Sequence, residues 1–245
     1  MSNLLAEGFR RLFKGKRFYV VLVIIMAIPA AASVFIKIFE GGDVNVGDGL
    51  VFAMIGTMTM FISIAAGLFI VQDFKNNTIR NKIIIGHSRT NIYLANLIIS
   101  LTVAFIYQVA YWLVLIAFSK TLQKFKSFPG TEVFLNMLFT IVILFAFTSC
   151  FVFLCTSMRN TGGFVLSLML DTIVTMIASI IYTFVKNKIV RNVIEYGLPS
   201  VQIDGFKYNP TNVDDKLWLM ILIDLGICVV STIAGIAIFK KADLK

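Results

Sequence analysis

Long apolar runs separated by short polar segments dominate the chain. Each run is about as long as the roughly 20 residues that cross a hydrocarbon core. The runs lack the alternation of a membrane-barrel strand, and in lipid a helix satisfies its own backbone hydrogen bonds. We therefore expect an all-α integral membrane fold with six transmembrane helices in one domain over residues 1–245. The predicted spans are residues 18–36, 50–71, 92–118, 133–157, 164–185 and 217–239.

Composition agrees with this pattern. Length alone would allow one or two soluble domains, since the chain has 245 residues. However, 58% of the residues are hydrophobic and only 14% are charged, whereas a soluble domain has about 25% charged residues. The composition therefore excludes an ordinary soluble protein.

The segment before the first span, residues 1–17, is basic and patterned as an amphipathic helix. We expect this elbow helix to lie in the membrane surface before the chain turns into the first span. Its predicted apolar face consists of Leu4, Leu5, Phe9, Leu12 and Phe13. The segment and the run that follows, with its "AAAS", also resemble a secretory signal. Continuation of the apolar run through residues 34–36 favours a retained span.

The distribution of charge predicts the orientation. With an even number of spans, both termini lie on one side. Lys and Arg are more numerous on that side, and most acidic residues fall on the other. The positive-inside rule then places both termini in the cytoplasm. The net charge of +9 is explained by this membrane face and requires no nucleic acid.

Motifs for catalysis are absent from the sequence. It contains no phosphate-binding P-loop, no H-E-x-x-H and no G-x-S-x-G. The sole histidine, His87, stands next to Ser88, which is poor geometry for a nucleophile and its base. Three cysteines inside predicted spans match no zinc or redox spacing. We therefore expect no enzyme activity and no metal or cofactor bound by this chain.

Two carboxylates lie inside predicted spans, Asp171 and Asp224. An ionisable group in a membrane is costly and often functional. Both are candidates for a role in a translocation path or in gating, or for ion coupling. Packing or lining of a cavity is the alternative.

The loop between the fifth and sixth spans carries an amphipathic pattern. Apolar residues recur on one side of a helix over residues 189–198, and Gly197 and Pro199 are expected to stop it. We interpret it as a short helix dipping into the outer leaflet.

The polar segment "QDFKNNTIRNKIIIGHSRTNIYLANLI" at residues 72–98 predicts another short helix, between the second and third spans. Asn76, Asn77 and Thr78 are good N-cap residues, and Gly86 is a good C-cap. Within this helix, Ile79, Lys82 and Ile83 share a face. A simple connection needs about four to six residues, and this one is longer. A short amphipathic helix held between two spans is suited to dock into the groove of a partner.

This segment closely resembles the cytoplasmic segment of type-two ABC-transporter permeases of Gram-positive bacteria. The common pattern there has an acidic residue, then "TIRNK", a glycine, "SR" and "IY". It is matched here by Asp73, residues 78–82, Gly86, residues 88–89 and residues 92–93. The ending "GIAIFKKADLK" is similar to the tail of the same family. The sequence departs from the pattern at Asn77, where glycine is usual, and at Asn96, near a usual lysine.

The resemblance implies the permease subunit of an ABC exporter in a bacterial cell membrane. It implies two partners, a separate ATP-binding subunit that holds ATP and Mg, and a second copy or a paralogous permease. Residues 79–85 would be the coupling helix. Its Arg80 and Lys82 would pair with acids of the ATPase, and Ile79 and Ile83 would fill an apolar groove. The implied ATPase-coupling residues are Asp73, Asn77, Thr78, Ile79, Arg80, Asn81, Lys82, Ile83 and Gly86.

The cargo implied by the family is an amphipathic, antimicrobial or toxin-like peptide. Export of drugs, lipids or polysaccharide is the alternative within the family. An ion-coupled secondary transporter using Asp171 and Asp224 is the alternative from another class, although it should show an internal repeat, which the sequence lacks.

Overall fold

The computed structural model describes residues 1–39, 55–119, 131–208 and 217–242. These residues form helices joined by short turns, and no strand occurs among them. The helices, numbered here in chain order, are α1 Ser2–Lys14, α2 Lys16–Phe39, α3 Ile55–Lys75, α4 Thr78–Ile84, α5 Arg89–Ser119, α6 Thr131–Met158, α7 Thr161–Phe184, α8 Lys188–Gly197, α9 Pro199–Tyr208 and α10 Leu217–Lys241. The predicted all-helical fold class is confirmed.

Four described helices are long and apolar enough to cross a membrane by themselves. They are Gly56–Lys75, Arg89–Val114, Phe134–Met158 and Leu217–Lys241. They correspond to the second, third, fourth and sixth predicted spans. Residues 50–54, where the second span was expected to begin, lie outside the described residues.

Two further candidates are bent pairs. Ser2–Lys14 meets Lys16–Ala32 at 62°, and Thr161–Leu170 meets Thr172–Phe184 at 41°. The described chain therefore holds four candidate spans, or up to six if each bent pair is one span. The first and fifth predicted spans fall in these bent pairs.

The exterior of the bundle is apolar and its interior is partly polar. Leu113, Phe184 and Val230 are among many large apolar side chains that are exposed. Inside, the hydroxyl of Ser63 bonds that of Ser167 at 2.8 Å, and Ser231 donates to Ser149 at 2.8 Å. Short polar side chains that bond between helices are typical of helix packing in lipid, where apolar burial no longer drives association.

Two clusters of buried apolar side chains hold the helices together. The larger contains Ile25, Tyr107 and Phe151 from α2, α5 and α6. The smaller joins Ile70 of α3, Ile79 of α4 and Phe239 of α10. Because the smaller cluster includes α4, this short helix is packed onto the bundle. We call this part of the molecule the α4 end; it consists of α4, the last turns of α3, the first turns of α5 and the last turns of α10.

One helix differs from the sequence-based expectation. Gly197 ends α8 as predicted, and Pro199 is the first residue of a further helix, α9. Proline is favoured in the first turn of a helix because its missing N–H would have no intrahelical partner there. The helix before Pro199 ends as predicted, whereas the further helix that Pro199 begins was not predicted. In α8 itself, Ile194 is buried while Ile189 and Val193 are exposed.

Candidate functional site

The conformation of the turn before α4 explains why Asn77 can replace the glycine of the resembled pattern. Asn77 precedes the helix with φ of 54° in the left-handed region, and its side chain makes no capping hydrogen bond. The predicted N-cap position is thus confirmed, but the expected side-chain bond is not formed. Glycine adopts this conformation freely and asparagine tolerates it better than most residues. Asparagine can therefore stand where the resembled family has glycine.

The turn after α4 is a Schellman motif. Gly86 has φ of +100°, its N–H donates to Ile83 at 2.9 Å, and the His87 N–H donates to Lys82 at 3.1 Å. These two bonds satisfy the last carbonyls of the helix. Gly86 ends α4 as predicted, and His87 serves the turn through its backbone.

The inner face of α4 is buried. Ile79 is only 2% exposed and Lys82 7% exposed, and Ile83 is half-buried. The predicted shared face of these three residues is present, but it packs on this chain. Ile79 and Lys82 are therefore engaged within the molecule and are not the surface left for a partner.

The outer face of α4 is accessible. Ile84 and Ile85 are 72% and 76% exposed, and Arg80 and Asn81 are exposed beside them. Thr78 is half-buried at the start of the helix. This outer face combines Arg80, which sequence analysis had proposed as a contact, with two large apolar side chains that take the place of Ile79 and Ile83.

Lys82 reaches a buried carboxylate. Its Nζ lies 3.3 Å from Asp73 Oδ2 and 3.5 Å from Glu7 Oε2. Asp73 has no exposed surface, and its other oxygen accepts a hydrogen bond from Arg11 Nη1. The Arg11 guanidinium also covers the Phe69 ring at 4.0 Å, a cation–π contact. We call Glu7, Arg11, Asp73 and Lys82 the ion network.

The ion network ties three helices together. It contains two carboxylates and two cations, so opposite charges balance within it, as buried charge requires. Glu7 and Arg11 come from α1, Asp73 from the last turns of α3, and Lys82 from α4. The network therefore links α4 to α1 through charged contacts, although the two helices are far apart in the chain.

Arg89 ties the start of α5 to the end of α10. Its Nη1 donates to the carbonyl oxygens of Phe239 at 3.3 Å, of Lys240 at 2.9 Å and of Ala242. A cation at a helix C-terminus satisfies free carbonyls and interacts favourably with the helix dipole. One turn later, the buried ring of Tyr93 fills the space beside Gly235, where a Cβ would overlap it. The "SR..IY" residues and the tail of the resembled pattern thus meet in space.

The five residues predicted for the apolar face of the elbow helix lie in different environments. Leu4 and Leu12 are buried, Leu5 and Phe9 are half-buried against the larger core cluster, and Phe13 is 41% exposed. Phe13 stacks on Phe9 and meets the edge of the Phe18 ring at a centroid distance of 5.4 Å. The helix therefore packs on the bundle while its rim stays accessible.

Two carboxylates, Asp171 and Asp224, were predicted to lie inside spans. The side chain of Asp171 lies outside the described part of α7. Asp224 is fully buried in α10, and neither of its oxygens has a hydrogen-bond partner among the described residues. The nearby Gln202, from the unpredicted α9, is buried as well. The structure does not bring Asp224 to the ion network.

Sequence reasoning missed the partners of the ion network and the role of Arg89. One signal was present: Glu7 and Arg11 are spaced i, i+4 and so share a side of α1. Nothing local points from them to Asp73, 62 positions along the chain from Arg11. Within the described residues, no group of three or more His, Cys, Asp and Glu side chains could hold a metal.

The chain matches no protein-family model, and no curated protein is found to be similar to it.

Proposed function

We propose that this chain is the permease subunit of an ATP-driven ABC exporter, with six spans and cytoplasmic termini in a bacterial plasma membrane. The observation that carries the proposal is α4. It is a discrete helix of 7 residues, held between two long apolar helices, with a buried inner face and an exposed outer face. A short rigid helix of this kind suits insertion into the groove of a partner.

The docking surface that we assign is the outer face of α4. Arg80 offers a charge to acids of an ATP-binding subunit, and Ile84 and Ile85 offer apolar area to its groove. Asn81 lies at the edge of this surface. The inner residues Ile79 and Lys82 hold α4 in place and transmit its movement.

Two routes could carry movement from α4 into the spans. Lys82 passes it through Asp73 to Arg11, and so to the elbow helix and the first span. The turn at Gly86 passes it to Arg89, which contacts the end of α10. ATP-driven closure of the partner could thus act on several spans at once.

For the cargo we propose amphipathic or antimicrobial peptides, with drugs, lipids or polysaccharide as alternatives. A second copy or a paralogous permease would complete the path. The partly polar interior, with its serine and threonine contacts between helices, suits a cargo of mixed polarity.

The test is reconstitution with an ATP-binding subunit, and a gene next to the one for this chain is the first place to look for it. The two should co-purify, and inverted vesicles holding the complex should take up a fluorescent amphipathic peptide with ATP. A partner unable to hydrolyse ATP serves as the control and should abolish uptake. Uptake that does not require ATP and depends on a proton gradient would overturn the proposal.

Ion-coupled transport is the second candidate function, and Asp224 favours it. A fully buried carboxylate without a hydrogen-bond partner in the described structure is suited to bind and release a proton. Proton-driven uptake that Asp224→Asn abolishes would support this candidate over the first.

A further inference from the structure

A cavity of about 330 Å³ lies between the bend that joins α1 to α2 and the facing side of α3. This volume falls within the range of small-ligand sites, roughly 300–1,000 Å³. Its lining has two parts of opposite character. The cationic part consists of Arg11, Lys16 and Arg17, and the apolar part includes Val21, Ala65 and Leu68.

The cationic part has two unneutralised charges. Arg11 is paired with Asp73 through Nη1 and its Nη2 is shielded from solvent, whereas Lys16 and Arg17 are exposed. Arg17 donates to Gln72 Oε1 at 2.9 Å and keeps its remaining donors. Acidic residues are missing from the described lining of the cavity. Two exposed cations without a carboxylate in the described lining favour an anion with several acceptor oxygens, such as a phosphate group.

The apolar part favours one source of that phosphate. The lining along α3 extends from Gln72 at the cationic part to Ile64, eight residues away, which is about 12 Å along a helix. A soluble phosphate would occupy only the Gln72 side and leave the apolar wall uncovered. A phospholipid would place its headgroup among the cations and the first part of an acyl chain along Leu68 and Ala65.

We propose that this cavity binds the headgroup of an anionic phospholipid. The phosphate is contacted by Lys16 and Arg17, while an acyl chain covers the apolar wall. Because the lining joins the bend after α1 to α3, the bound lipid fastens the end of the elbow helix to α3, beside Arg11 of the ion network. This site requires only that the chain lie in a membrane, and it is independent of any ATP-binding partner.

The test is thermal unfolding of the full-length chain in mild detergent with three additives. Phosphatidylglycerol should raise the melting temperature, whereas phosphatidylcholine and glycerol phosphate should leave it nearly unchanged. Equal stabilisation by phosphatidylcholine would overturn the anionic preference. Equal stabilisation by glycerol phosphate would show a soluble anion site and would overturn the lipid.

Variants locate the effect. Lys16→Gln with Arg17→Gln removes two exposed cations of the cavity without touching the ion network. Each basic residue contributes about a factor of five at an anionic surface, so the affinity for phosphatidylglycerol should fall about thirtyfold. The matched control, Lys240→Gln with Lys241→Gln, removes equal charge from exposed positions at the end of α10. An equal loss in the control would show a general charge effect and contradict the site.

A second variant tests the acyl chain. Ala65→Phe places a larger side chain in the cavity along its apolar wall and leaves all charges in place. It should weaken stabilisation by phosphatidylglycerol severalfold. Unchanged stabilisation in a folded Ala65→Phe variant would contradict the placement of the chain.

Discussion

At the α4 end, the buried carboxylate of Asp73 contacts Arg11 and Lys82, whereas the buried carboxylate of Asp224 has no hydrogen-bond partner in the described structure. Both side chains are fully buried. Asp224 lies seven residues into α10, about 10 Å from the helix start and away from the α4 end. One region thus holds balanced charge in a network, and the other holds a single ionisable group.

The difference separates two uses of a charge in a membrane helix. In a network, a carboxylate fixes the relative positions of helices, because removing one member leaves its partners buried and unpaired. A buried carboxylate without an opposite charge beside it is costly, and such groups in membrane helices are often functional. Under the proposed function, the α4 end would transmit movement, and Asp224 is the group suited to bind or release a proton.

The largest effect should come from Asp73→Asn. Loss of the carboxylate leaves Lys82 without its closest buried counter-charge, which we expect to cost about 3 kcal/mol of unfolding free energy. Unfolding in fixed detergent measures it, with the exposed Glu195→Gln as a control of equal charge change. Adding Lys82→Met should recover part of the loss, because the pair acts as a unit. If the losses of unfolding free energy from the two substitutions simply add, Asp73 and Lys82 do not act as a pair, and the contrast with Asp224 fails.

Gly235→Ala should come next. The new methyl group would overlap the buried ring of Tyr93, and overpacking of this kind costs about 2 kcal/mol. The matched control is Gly226→Ala in the same helix, where a Cβ would meet no atom within 4 Å. The control should be neutral or slightly stabilising, since alanine favours helix. Equal effects at both positions would show that α10 is packed no more tightly at the α4 end.

Arg89→Gln should have a smaller effect, about 1 kcal/mol. It removes a cation that donates to the last carbonyls of α10. Hydrogen exchange of the α10 C-terminus should report local fraying before global unfolding. Lys188→Gln, at an exposed position, is the control. Protection that stays unchanged in Arg89→Gln would remove Arg89 from the transmission route.

The smallest effect on stability should come from Asp224→Asn. Since no described hydrogen bond is lost, the unfolding free energy should stay within about 1 kcal/mol of wild type or rise. Transport by the reconstituted complex is the decisive readout. A loss of stability as large as that of Asp73→Asn would show that Asp224 is structural and would erase the difference between the two regions.

The sequence predicted what depends on local pattern. Long apolar runs predicted the helices because helix length is tied to the thickness of the bilayer. Gly86 predicted the end of α4 because its left-handed conformation favours glycine. Pro199 marked the end of α8 but did not reveal α9, because proline both follows helices and begins them.

The parts that sequence analysis missed depend on tertiary packing. Arg89 donates to residues 150 and more positions away, and Arg11 reaches Asp73 from another helix. A single sequence carries no record of such pairs. Arg80 and Asn81 were predicted, but the exposed Ile84 and Ile85 beside them were missed, since periodicity groups Ile79 with Lys82 and does not say which side faces inward.

The central claim is that a partner docks on the outer face of α4 while the inner face holds the helix in place. The most direct measurement is the dissociation constant of the ATP-binding subunit for the Ile84→Asp, Ile85→Asp variant. The matched control is Ile189→Asp with Val193→Asp, two exposed apolar residues of α8. We expect binding to weaken more than a hundredfold, as loss of two central apolar contacts costs about 3 kcal/mol, with the control unchanged. Wild-type affinity in the α4 variant would contradict the account.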